Sequence, residues 1–182
     1  MSLAYRSLHV AYVFSLPLLA CVQIAVRDAS AFISRQNINT KTSRIPHWWQ
    51  QLFYTGLIPT LFLLGIATVA PTLIISRFYG YATPLDHIPF LSIFFFACLI
   101  GQIGNTLTIP IRARKKSILV TKNFLIAEFL IMLGGTQFML LSQRATPWNL
   151  GNLTLLFTIF YLLLNSISTR SLLAKEKVVN TR

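Results

Sequence analysis

Glu128 is the residue whose type and position most invite chemistry. It is a carboxylate in a stretch that carries no other charge between Lys122 and Arg144. An ionised carboxylate in hydrocarbon costs several kcal/mol, so Glu128 must face protein or a wet cavity, find a partner, or hold a proton. It is the candidate catalytic acid/base group.

Other polar side chains fall at a similar depth. At about 1.5 Å per helical residue, Glu128 lies about 9 Å beyond Lys122 and Asn105 about 10 Å before Arg112. On the same count Asn165 is about 7 Å from Arg170 and Gln23 about 6 Å from Arg27. Gln102 sits one turn deeper than Asn105, and Tyr54 could complete the layer. Two readings of this layer compete. One is a small polar pocket formed by Gln23, Tyr54, Gln102, Asn105 and Asn165 around Glu128. The other is hydrogen bonding between helices, worth about 0.6 kcal/mol per pair. For Gln23, Asn105 and Asn165 taken singly the second is the plainer reading, whereas for Glu128 the two stand level.

Other chemistries find no footing in the sequence. Cys21 and Cys98 are isolated and read as small packing residues. His9, His47 and His87 are far apart, and there is no H-x-x-x-H pair, G-x-S-x-G elbow or Gly-rich phosphate loop. No metal and no cofactor is expected. Asp86-His87 reads as a helix start, with the acid at its N-terminus.

The elements that must position these groups follow from the charges. Of 182 residues, 54% are hydrophobic and only 11% charged, against roughly 25% charged in a soluble domain. A soluble globular fold is excluded. A spanning helix needs about 20 apolar residues, and the gaps between charges predict five, over about 7–26, 52–76, 88–111, 123–142 and 150–169. The chain therefore reads as all-α, a single polytopic helical bundle over 1–182 with no soluble domain. The apolar run after Arg6 is longer than a signal-peptide core and lacks a small-x-small cleavage site, so it is kept as a helix. The polar part of the connector, Ser30 to Thr42, is too polar to be read as an interfacial helix. Pro17, Pro59, Pro71 and Pro110 are placed to kink spans.

Five spans sort thirteen of the sixteen Lys and Arg residues to one side and three to the other. By the positive-inside rule the N-terminus lies outside and the C-terminus inside. The net charge of +12 thus follows from topology, and nucleic acid is not an expected partner. The basic run Arg112, Arg114, Lys115 and Lys116 is expected at anionic lipid headgroups. Trp48, Trp49, Tyr79, Tyr81 and Trp148 flank the spans as interface anchors. Gly101, Gly104, Gly134 and Gly135 permit close helix approach, within the chain or against a partner subunit.

At the second span, Trp49-Gln-Gln-Leu-Phe-Tyr-Thr-Gly56 with Pro59 beyond it resembles the W-x-x-x-[FY]-x-x-G start of the anthrone-oxygenase-like family of small membrane proteins. The resemblance covers this motif and the topology of about residues 1–142. It implies a compact helical bundle, in some members associated with cofactor-independent oxidation of polycyclic aromatic substrates. It places Trp49, Tyr54 and Gly56 at the mouth of a pocket. Leu57 stands where a His is often found, the basic run replaces a polar segment, and a fifth helix is added.

Three function classes follow. A non-catalytic subunit or assembly factor of a larger membrane complex is favoured narrowly, because no complete catalytic constellation is visible. A membrane enzyme taking a lipophilic substrate from the bilayer, with Glu128 as acid/base, comes next. A small transporter is third, since no inverted repeat is present. The expected location is the endoplasmic reticulum or another endomembrane, with the mitochondrial inner membrane as the alternative.

Overall fold

The computed structural model describes residues 3–36, 52–80, 87–143 and 146–179. Among them there is no strand. Helix α1 is Leu3–Gln36. A π-helical turn, Leu52–Leu57, leads into α2, Ile58–Val69, and α3 is Pro71–Tyr79. Helix α4 is Ile88–Leu107, with the short α5, Ile109–Ala113, continuing it. Helix α6, Ser117–Ala127, passes through a second π-helical turn, Glu128–Leu133, into α7, Gly134–Leu141. Helix α8 is Pro147–Val179. Four of these rods are long and apolar enough to cross a membrane, or five if the bent pair α2–α3 is one span.

Two apolar clusters set the directions of the rods. At one end Val10, Ala11 and Phe14 of α1 meet Leu64 and Ala67 of α2, Ile75 of α3 and Leu91 and Phe95 of α4. At the other end Leu18, Val22, Ala25 and Ala29 of α1 meet Leu52, Ile109 and Ala113. Helix α2 therefore runs antiparallel to α1, and α4–α5 runs back parallel to it. Helix α8 lies along α4 in parallel: Gly151 is beside Ile93, Gly101 beside Thr158 and Gly104 beside Leu162. Helices α6 and α7 run antiparallel to α8, with Asn123 at Asn165 and Gly135 at Leu153.

Two expectations are corrected. Helix α1, expected to end near residue 26, continues through Arg27 as far as Gln36, into the segment read as a connector. Its apolar stripe is the cause: Val22, Ala25 and Ala29 stay buried, and adding residues to a formed helix is far easier than nucleating one. The second span is not one rod, because α2 and α3 meet at 102°. Ala70 leaves the helical region (φ −127°, ψ 59°), and Pro71, which has no N–H to donate, starts the new helix. Pro17, by contrast, lies inside an uninterrupted α1.

Candidate functional site

Helices α1 and α8 stand apart on either side of α4, leaving a laterally open groove of about 580 Å³. Its floor is the α4 face Ala97, Cys98, Gly101, Gln102 and Asn105. That face is available because Gly101 and Gly104 let α8 approach closely: a Cβ at Gly101 would lie 3.3 Å from the Thr158 methyl. One wall is α1, with Leu8, His9, Tyr12 and Ser15. The other is α8, with Thr154, Phe157, Thr158 and Tyr161, joined by Phe124 of α6.

The α8 wall is aromatic and stiff. The Phe157 and Tyr161 rings are parallel within 3° at 6.2 Å, and Phe124 packs edge-on against both at 5.6 and 5.9 Å. Across the groove Leu8 and Tyr12 are each 59% exposed, so this wall faces outward from the bundle. Toward the start of α1, His9 hydrogen-bonds the Tyr79 hydroxyl, and the Arg6 guanidinium lies 5.6 Å from the Tyr79 ring centroid. The bend at Pro71 is what brings Tyr79 back onto α1.

The floor is polar. Gln102 Nε2 donates to Ser15 Oγ at 2.9 Å, and Asn105 Nδ2 donates to Gln102 Oε1 at 3.1 Å. None of the described lining residues is an Asp, Glu, Lys or Arg. No group of three or more His, Cys, Asp or Glu able to hold a metal occurs among the described residues.

The predicted polar layer divides. Gln102 and Asn105 come together in the groove floor. Asn165 is fully buried elsewhere: its Oδ1 accepts from Asn123 Nδ2 at 2.9 Å, and the same amide donates to Ser168 Oγ at 3.0 Å. Gln23 and Tyr54 are both exposed and neither is among the described residues that line the groove. Glu128 is half-buried at the start of the second π-helical turn. It lies one turn, about 6 Å, from Phe124 and outside the groove lining. The helices place these groups on different faces, and only Gln102 and Asn105 come together.

Trp49 lies outside the described residues. Gly56 is no pocket mouth: it is where α1 and the first π-helical turn touch, and a Cβ there would fall 2.7 Å from Cys21 Cβ. Of the basic run, Lys115 and Lys116 project outward and Arg112 is half-buried, while Arg114 donates to the Pro110 carbonyl at 2.9 Å.

Sequence reasoning missed His9, Ser15, Tyr12, Phe157 and Tyr161 as groove residues, and Asn123 as the partner of Asn165. Asn123 follows Lys122 and so reads as the polar end of a span. Ser15 bonds the carbonyl four residues before it, which in sequence is indistinguishable from an ordinary helical serine. No family model, no curated protein and no solved structure matches the chain.

Proposed function

We propose that this chain is a five-span integral membrane protein that takes a neutral lipophilic molecule sideways from the bilayer into the α1–α4–α8 groove. The carrying observation is the groove itself. Its volume lies within the usual range for small-molecule sites, its walls are largely apolar and aromatic, and its few polar groups converge on the floor. Neutrality follows from a described lining without a charged side chain, since a buried ion without a partner is heavily penalised. The N-terminus lies outside and the C-terminus inside. The two clusters support this arrangement, because Arg112 and Arg114 fall at the same end of the bundle as Arg27.

Among the classes expected from sequence, the groove favours handling of a lipophile over a purely structural subunit. Gly101, Gly104 and Gly135, which could have served a partner, pack against α8 of the same chain. Glu128, outside the lining, is not assigned a role in holding the ligand.

The test is purification in mild detergent, organic extraction and mass spectrometry. The unaltered chain is expected to retain a lipophile near one per protein, and Thr154→Phe, which fills the groove, to retain at least fivefold less. Equal retention by both would remove the groove as the site. The same preparation bears on the subunit class: a monodisperse monomer argues against an obligate subunit, and a stable companion protein argues for one.

A further inference from the structure

We propose that the inner end of the groove is a subsite for the hydroxyl of a neutral lipophilic alcohol, held by Asn105 and Gln102. This rests on the groove being a ligand site and names the ligand's polar group.

Hydrogen-bond direction fixes the two amides. Ser15 is 2% exposed, and its hydroxyl donates its only proton to the Ala11 carbonyl at 2.7 Å. Ser15 Oγ can then only accept, so Gln102 must turn its NH2 toward it. Gln102 Oε1 consequently faces Asn105, which must present its own NH2. The orientation of both amides is thereby set by a serine on another helix. Among the positions of the relay left unused by the side chains of the described residues are the second N–H of Gln102, the second N–H of Asn105, and the whole Asn105 Oδ1 acceptor.

A hydroxyl is the smallest neutral group that both accepts from an N–H and donates to an amide oxygen. A ketone, ether or ester would use the N–H groups and leave Oδ1 without a donor, which is unfavourable away from water. A phosphate or ammonium head would meet no opposite charge among the described lining residues. Position reinforces the point. Gln102 lies about 21 Å along the axis from Ile88 and about 15 Å from Arg112, and so between the two levels at which phospholipid heads reside. The groove extends along α1 from Tyr5 to Leu19, again about 21 Å, so a slender hydrocarbon body can lie against Phe157 and Tyr161 while its hydroxyl reaches the floor.

The test uses the full chain in phosphatidylcholine nanodiscs with two photoreactive probes, a diazirine-bearing hexadecanol and its methyl ether, and peptide mass spectrometry to locate labelled residues. The alcohol is expected to label the groove walls about tenfold more efficiently than the ether, in line with one net hydrogen bond to a buried amide. Asn105→Leu and Gln102→Leu should abolish the preference, and Thr154→Phe should reduce labelling by both probes. Unlabelled hexadecanol and cholesterol as competitors distinguish a chain alcohol from a ring alcohol. Equal labelling of the groove by alcohol and ether overturns the hydroxyl subsite and leaves the groove standing. Absence of groove labelling by either probe overturns the groove, and the subsite with it. The alcohol-to-ether ratio in the unaltered chain decides the matter without any variant having to fold.

Discussion

Asn123 and Asn165 show how unevenly two amides can share one bond. Asn123 donates to both Asn165 and Ser168, whereas Asn165 is fully buried and its Nδ2 has no partner among the described residues. Removing Asn123 breaks two bonds and strands an acceptor. Removing Asn165 breaks one and strands an Asn123 N–H, but it also discards the unsatisfied Asn165 donor, so the number of unpaired buried donors does not rise. Asn123→Leu is therefore expected to cost about 1 kcal/mol and Asn165→Leu close to nothing, within the range of interhelical hydrogen bonds. Reversible unfolding in bicelles measures both, and a larger loss for Asn165→Leu would contradict the assignment. At this scale the residue types were legible in the sequence but their partners were not. Depth along a helix can be counted from the nearest charge, while rotation about the axis depends on which neighbours are present. Gln23 and Asn105, expected at similar depth, accordingly lie one on the bundle surface and one in the groove.

The α2–α3 break is the element that departs most from a simple span. A proline inside an apolar run reads as a kink, yet Pro17 and Pro71 behave differently. At Pro17 the surrounding α1 face is packed on both sides, with Phe14 and Leu18 buried in the two clusters. At Pro71 the chain turns and is held by new contacts: Phe78 packs edge-on to Phe14 at 5.6 Å, and Tyr79 hydrogen-bonds His9. A His9→Cys/Tyr79→Cys pair in a Cys21→Ser, Cys98→Ser chain should be joined by a short bismaleimide cross-link, since the native side chains meet at their tips. Adding Pro71→Ala, which permits a straighter helix, should slow its formation severalfold. Unchanged cross-linking would mean that the bend is maintained without the proline. The same bend places Tyr79 beside His9 at one end of the groove, so a local backbone break shapes the site.

For the molecule as a whole, the packing fixes the relative directions of the helices, and the proposed topology follows from them only if α2–α3 crosses the membrane. The apolar clusters align α1, α2 and α4 in alternating directions, and the glycine contacts align α8 with α4. If the bent pair α2–α3 is one span, as proposed, Tyr5 and Ala174, both exposed, are expected on opposite faces of the membrane. Tyr5→Cys and Ala174→Cys, introduced singly into a Cys21→Ser, Cys98→Ser chain in sealed vesicles, should react with a membrane-impermeant maleimide from opposite sides. Reaction of both from the same side would replace five spans by four, with α2 and α3 entering and leaving on one face.

Composition and charge spacing by themselves determined that the chain is helical, apolar in long segments and sorted by its basic residues. These properties depend on transfer of single side chains between water and hydrocarbon, which is additive along the sequence. Only the tertiary structure decided that Gln102 and Asn105 share a floor with Ser15, that Asn165 pairs with Asn123, and that Glu128 stands outside the groove. Those outcomes depend on the rotation and separation of neighbouring helices. Close approaches such as Gly101 at Thr158 and Gly135 at Leu153 set both, and each needs two distant residues to be known together.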